Sequence, residues 1–358
     1  MRIGIDAREL AGRPTGVGRY LGGLLREWAI DERARAHEFV LYAPAPLNLS
    51  LDGRRFPARL VPGAAGTRWE QAQMPAVAAR DHLDVFFAPG YTAPLFRAVP
   101  TVVAIHDVSF AAHPEWFTVR EGARRRLLSR QAALQARAVI TISQFSKREI
   151  VERFGVADAK VSVIPPGVTA PHVPPDVAPM DGKVLYVGSI LNRRHLPRLI
   201  RAFATVARVH HHASLDIVGD NRSYPREDLE NVIAGDGLNG RVRWHAWIGE
   251  RELGALYGSA RAFAFLSEYE GLGLTPLEAL SVNVPPLVGD TPVARESCGD
   301  AALYVPLDDV DGVVEGLNQL LFDESVRGRI LGAARQTLAG YSWPRAARET
   351  LALLEKSA

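Results

Sequence analysis

Short apolar runs rich in β-branched and aromatic residues alternate with amphipathic stretches over nearly the whole chain, the pattern of strands and helices taking turns in parallel sheets. The runs predict strands at Ile3 to Asp6, Phe39 to Ala43, Val85 to Ala88, Val102 to His106 and Val139 to Ser143. A second series follows at Val184 to Gly188, Leu215 to Gly219, Val242 to His245, Ala262 to Ser267 and Pro286 to Val288. Between the two lies PPGVTAPHVPPDVAP, whose six prolines forbid a helix or a central strand and make a stiff connector. The expected class is α/β, with an N-terminal doubly wound domain over 1–168, a Pro-rich linker over 169–182 and a second doubly wound domain over 183–341. A final helix over 342–358, with Ser342 as N-cap and Pro344 in its first turn, can pack on either domain.

Length supports two cores, since chains beyond roughly 250 to 300 residues usually split and this one has 358. With 47% apolar and 23% charged residues the chain is globular, and a formal net charge of +2 provides no field for wrapping nucleic acid. All but four of the 42 basic side chains are arginine, the residue suited to bidentate grips on phosphate and carboxylate. The lone Cys298, in what reads as a polar loop, permits no intrachain disulfide and no thiolate metal site, and a reducing compartment fits. No charged leader precedes an apolar stretch and no run approaches the roughly 20 apolar residues of a membrane span, so a cytoplasmic protein is expected. Arg120, Arg124, Arg125, Arg126, Arg130 and Arg137 crowd one expected helix, whose face is simply solvated, binds a phosphorylated acceptor or rests peripherally on anionic lipid at the inner membrane face.

Four segments carry candidate chemistry. In SEYEGLGLTPLEAL, a buried strand ends at Ser267, Gly271 and Gly273 let backbone amides approach a ligand, and a helix opens at Thr275 with Pro276 in its first turn. A helix N-terminus at a strand's carboxyl end favours an anion, and Glu270 and Glu278 flank it. Glu278 also fits a capping box with Thr275, whereas Glu270 has no evident structural partner; carboxylates at both ends of the loop can accept from vicinal sugar hydroxyls. Arg193 and Arg194 stand just before another helix, where the dipole disfavours cations unless they share an anion with it. PTVVAIHDVSF delivers His106 and Asp107 at a strand end; His106 can donate, act as a base or simply pack, and Asp107 can cap. Gly16 and Gly18 fall in a glycine-bearing loop whose spacing departs from the dinucleotide fingerprint, and Ala43 and Pro44 stand where a ribose-binding acid would be, which argues against a nicotinamide or flavin site. Asp309 and Asp311 read as helix-capping acids, the run His210 to His212 cannot converge on one metal, and no serine or cysteine nucleophile motif occurs.

These pieces in this order resemble a retaining glycosyltransferase of family 4 with the two-domain GT-B fold, two Rossmann-like domains facing a central cleft, from Gly16 to the Tyr341-Ser-Trp343 segment. The resemblance implies that Glu270 and Glu278 are the family's E-x7-E pair, the first on the donor sugar and the second on the nucleotide ribose. It gives the diphosphate to Arg193, Arg194 and the amides of Gly271, Leu272, Gly273 and Leu274 between the glutamates, the C6 hydroxyl of the donor sugar to His106, and a place beside the diphosphate and acceptor to Gly16; Gly18, Gly188 and Ser189 are further expected donor-binding residues. The family's arginine–lysine–asparagine run stands here as Arg193, Arg194 and His195, which keeps the charge and replaces a point-like ammonium by a planar fork. The final helix would cross back onto the first domain. The implied activity is metal-independent, cofactor-free hexosyl transfer, of mannose or glucose type, from a nucleoside diphosphate sugar to a saccharide or lipid-linked acceptor in glycan, polysaccharide or glycolipid synthesis. A nucleotide-sugar epimerase of the same architecture and a non-catalytic sugar-nucleotide-binding protein are the alternatives.

Overall fold

The computed structural model describes residues 1–12, 15–95 and 99–358. It divides into two compact units, Met1–Gly167 with Tyr341–Ala358, and Val168–Gly340. The first is built on β1 (Arg2–Asp6), β2 (Glu38–Ala43), β3 (Ala58–Leu60), β4 (Val85–Ala88), β5 (Thr101–Ala104), β6 (Ala138–Thr141) and β7 (Val161–Val163), in the order β3-β2-β1-β4-β5-β6-β7. The second is built on β8 (Lys183–Val187), β9 (Ser214–Val218), β10 (Val242–His245), β11 (Ala262–Phe265), β12 (Pro286–Gly289) and β13 (Leu303–Val305), in the order β10-β9-β8-β11-β12-β13. Neighbouring strands pair in parallel in both sheets. Strand order reverses between β1 and β4 and again between β8 and β11, and at such a switch point the loops leaving the strands' carboxyl ends diverge and leave room for a ligand.

Both faces of the first sheet are covered, so its strands are apolar throughout rather than alternating. Trp28, on the Gly16–Ile30 helix, is fully buried and donates from Nε1 to Ala347 O at 2.9 Å, which fixes the C-terminal helix Trp343–Ser357 to this unit. Trp343 lies so close to Gly23 and Gly167 that a Cβ on either would stand 2.4 or 2.3 Å from its ring, so neither position accepts a side chain. In the second unit the Leu196–Val209 helix buries Leu199, Ile200, Phe203 and Val206 on one face, the period of a helix lying on a sheet. Residues 164–182 contain neither helix nor strand, and Met180 N donates to Ser259 O at 2.9 Å.

Several expectations need correction. Gly16 and Gly18 are in the first turn of the Gly16–Ile30 helix, not in a loop, because Thr15 caps it by accepting from Gly18 N at 3.2 Å and an unbroken apolar face follows. The strands toward His106, Ser143 and Ser267 stop at Ala104, Thr141 and Phe265, so these three polar residues stand beyond the sheet; Ser143 caps the helix Gln144–Phe154. Cys298 ends the helix Pro292–Cys298 and is buried, which pushes its thiol up to about 11, so it is an inert apolar filler rather than a loop residue. Asp309 caps the helix Val310–Phe322 through Gly312 N, and His210 stacks on Phe322 with ring centroids 4.0 Å apart. Among the described residues no group of His, Cys, Asp or Glu could hold a metal ion, and no helix is long and apolar enough to cross a membrane.

Candidate functional site

At the switch point of the second sheet, the loop leaving β8 carries Gly188, Ser189, Arg193 and Arg194, and the loop leaving β11 carries Ser267 to Gly273. A single turn over Asn192–Arg194 aims the arginines, and His195 then adopts a left-handed conformation (φ 47°) that admits the Leu196–Val209 helix. Glu268 N donates to Arg193 O at 2.9 Å and His195 Nε2 lies 2.9 Å from Glu268 Oε2, which helps hold the loops together.

Arg194 Nε donates to Glu270 Oε1 at 2.7 Å, its Nη1 donates to Ser189 O at 2.8 Å, and the guanidinium lies over the Phe265 ring at 4.8 Å. Gly188 makes this possible: its φ of +151° is one L side chains rarely adopt, and a Cβ there would stand 2.6 Å from Arg194 Nη1. Arg193 Nε is 4.0 Å from the same Glu270 oxygen, and Ser267 Oγ donates to it at 2.8 Å. Glu270, read from sequence as lacking a structural partner, is therefore held by three side chains, two of them more than 70 residues away along the chain. Burial alone would push its carboxyl up; Arg194, Arg193 and Ser267 outweigh it and hold the group below its usual range, so it is ionised. Two guanidinium groups then face one carboxylate and leave an excess positive charge.

Past Glu270 the chain turns through buried Gly271 and Leu272 and enters the Leu274–Ser281 helix by way of Gly273, which is left-handed at φ +87°. Gly273, not Thr275, is the N-cap, so the Thr275–Glu278 capping box does not form; a glycine cap leaves the first-turn amides without a side-chain acceptor. Glu278 is buried, and its Oε2 accepts from Tyr257 O–H at 3.3 Å.

The first unit has its own charged cluster at the corresponding switch point, and sequence reasoning passed over it. Arg8, just past β1, donates to both oxygens of buried Asp6 and, through Nη2, to Glu70 Oε1 at 2.7 Å, while Thr92 from the loop after β4 also donates to Glu70. Asp6 and Arg8 are two residues apart and legible as a pair; Glu70, 62 residues from Arg8, gave no local signal. Beyond β5, His106 is buried and its Nε2 lies 2.8 Å from Pro89 O, while Asp107 accepts from Ser109 N at 2.8 Å. Arg120, Arg124, Arg125, Arg126 and Arg130 are exposed on the Val119–Gln135 helix, and Arg124 and Arg125 both pair with Glu121, holding its carboxyl down at about 2.

Residues 14–170 match the family model described as Glycosyltransferase Family 4, and residues 174–337 match the one described as Glycosyl transferases group 1. The O-antigen chain mannosyltransferase B of Escherichia coli is 27% identical over 295 residues, covering 77% of this chain and 75% of that protein. An MMP alpha-(1->4)-mannosyltransferase of Mycolicibacterium hassiacum is 27% identical over 64% of this chain, and the matched region is 56% of that protein's length. Among solved structures, HepE of Anabaena in complex with UDP and glucose superposes with a TM-score of 0.77 at 17% identity, covering 99% of this chain and 100% of that one.

Proposed function

The chain belongs to glycosyltransferase family 4 and has the GT-B fold; from that premise we propose that its second unit binds a nucleoside diphosphate sugar at the Arg193–Arg194–Glu270 cluster and that the enzyme transfers the sugar with retention and without a metal. The observation that carries this reading is the excess of positive charge at the β8/β11 switch point beside a helix N-terminus with no side-chain cap. The leaving diphosphate gains negative charge as the glycosidic bond breaks. Arg194, already fixed by Glu270, Ser189 and Phe265, stabilises that charge without reorganising, together with Arg193 beside the same Glu270 carboxylate and the amides of Gly188, Ser189 and Gly271 to Leu274.

Glu270 orients the arginines and accepts from donor-sugar hydroxyls; Glu278, steered by Tyr257, takes the ribose hydroxyls. Glu270 and His106 position the sugar and do not act as nucleophiles. The acceptor hydroxyl attacks from the face the diphosphate leaves and passes its proton to a phosphate oxygen, and His106 takes a hydroxyl of the donor sugar. Gly16 and Gly18, at the start of their helix, are assigned to the diphosphate and acceptor side. The mannosyltransferases among the relatives support a mannose- or glucose-type hexose, and the acceptor is a saccharide or lipid-linked saccharide in glycan, polysaccharide or glycolipid synthesis. The exposed arginines of the Val119–Gln135 helix suit peripheral contact with anionic lipid at the cytoplasmic membrane face.

Thermal unfolding with GDP-, UDP-, ADP- and dTDP-sugars in EDTA tests the reading. A ligand at about 100 times its Kd adds roughly 2.7 kcal/mol, so one nucleotide raises the Tm and identifies the base. A shift that requires magnesium or manganese would overturn the metal-free site.

A further inference from the structure

The turn that carries Arg193 and Arg194 is short. Arg194 N donates to Leu191 O at 2.9 Å and His195 N to Asn192 O at 3.1 Å, and the turn sets two like charges side by side ahead of a helix N-terminus. A single turn does not hold its shape alone, so its aim is set by what is tied to it. In the sheet β8 lies between β9 and β11. Glu268, from the β11 loop, ties the turn on one side, and the loop leaving β9 ties it on the other.

Asn192 makes that second tie. Its Oδ1 accepts from Tyr224 N at 2.5 Å, and its Nδ2 donates to Pro225 O at 3.0 Å and lies 3.4 Å from Glu227 Oε1. A backbone N–H only donates and a carbonyl only accepts, so the β9 loop presents one of each, and a carboxamide meets both. The loop is rigid enough to act as an anchor. Asn221 Oδ1 accepts from Ser223 N at 3.2 Å and from the Ser223 hydroxyl at 2.6 Å, Ser223 Oγ accepts from Glu227 N at 2.7 Å, and Asn221 Nδ2 donates to Glu227 O at 2.8 Å. Its root is fastened to the β8 loop, where Ile190 N donates to Asp220 O at 2.8 Å and Arg222 N to Ile190 O at 2.9 Å. Gly219, at φ +154°, packs so tightly there that a Cβ would stand 2.0 Å from Gly188 O.

We infer that Asn192 is a positioning residue for anion binding: through it the β9 loop fixes the turn, and with it the direction in which Arg193 and Arg194 present their guanidinium groups. The inference rests on the diphosphate site proposed above. Arg194 has Glu270, Ser189 O and the Phe265 ring to hold its head. Arg193, 4.0 Å from Glu270 Oε1, depends more on the turn it stands on, so Asn192 acts mainly through Arg193.

Calorimetric titration of UDP and GDP, in EDTA, into the wild type, Asn192→Ala, Arg193→Ala, Arg194→Ala and the Asn192→Ala/Arg193→Ala double variant tests this. Misplacing a charge by about 1 Å can cost up to about 100-fold, so Asn192→Ala is expected to weaken the nucleotide that binds by about 10-fold. In the Arg193→Ala background the same change should cost less than about 2-fold, because a residue that acts through another has nothing to act on once that one is gone. No loss in Asn192→Ala, or an equal loss in both backgrounds, overturns the inference, since a merely structural role would be additive. Ser223→Ala, a neutral change that loosens the β9 loop and leaves Asn192 in place, covers the case in which Asn192→Ala does not fold: it should give a smaller loss with the same dependence on Arg193, and a loss independent of Arg193 overturns the inference. If Arg193→Ala and Arg194→Ala both bind as the wild type does, it is the diphosphate assignment that fails, and the role of Asn192 with it.

Discussion

The two sheets share a strand order around their switch points, and each gathers an arginine–carboxylate cluster there, but with opposite charge. In the second unit two arginines share Glu270; in the first, Asp6 and Glu70 share Arg8. One cluster is left positive and suits a diphosphate, while the other is left negative and repels one. The difference shows up in the acids themselves. Glu270 is pulled below its usual pKa despite burial, whereas Asp6 is raised, because burial and the neighbouring Glu70 together outweigh Arg8. Topology supplies a place for a ligand, and the two or three side chains delivered there decide which ligand.

The contrast is broken most severely by removing an arginine from each cluster. Arg194→Ala takes the nearer cation from a carboxylate that is 14% exposed, so it lowers donor turnover by about 10²- to 10³-fold. The same change costs about 3 kcal/mol in urea unfolding. Arg8→Ala destabilises at least as much, since it strands two buried carboxylates, yet leaves nucleotide affinity unchanged in calorimetry. Next in size is Glu270→Gln, which keeps the shape of the side chain and frees both arginines: turnover falls roughly 100-fold, while affinity for the free nucleoside diphosphate rises. A parallel fall in both would mean that Glu270 serves the fold rather than the reaction.

Acid titration sharpens the comparison. The folded pKa of Glu270 is depressed, so its contribution to stability is present above the unfolded value of about 4.3 and lost as pH falls through the folded one. Asp6 has the opposite sign: with a raised folded pKa, its contribution is present below about 3.9 and lost as pH rises through the folded value. Melting curves between pH 3 and 6 should therefore show a shallower acid limb in Glu270→Gln and a steeper one in Asp6→Asn. The smallest effect is that of His195→Asn. Asparagine accepts the left-handed φ of 47° better than histidine but forfeits the contact with partly buried Glu268, so stability changes by less than about 1 kcal/mol and activity stays near wild type.

The alternation of apolar runs with amphipathic stretches was enough to read ten strands and both doubly wound units, because strands buried on both faces are continuously apolar. It missed β3, β7 and β13, each three residues long, and β3 is exposed along its length and carries no apolar run. Gly16 and Gly18 read as a loop because glycine is a poor helix former, and the Thr15 cap that overrides this lies next to residues 13–14, which fall outside the described residues. Arg193, Arg194 and Glu270 were each legible from their places at strand and helix ends. Their mutual pairing was not, since Arg194 and Glu270 are 76 residues apart and meet only because β8 and β11 are neighbours in the sheet. The Asp6–Arg8–Glu70 cluster was hidden for the same reason.

The most direct measurement is calorimetric titration of UDP and GDP, in EDTA, into the wild type, Arg194→Ala and Arg8→Ala. The charge asymmetry predicts that one of the two nucleotides binds the wild type and Arg8→Ala alike, and that Arg194→Ala loses at least 10-fold in affinity, about 1.4 kcal/mol. Equal affinity in Arg194→Ala, or an equal loss in Arg8→Ala, would contradict the assignment of the diphosphate to the second unit's switch point.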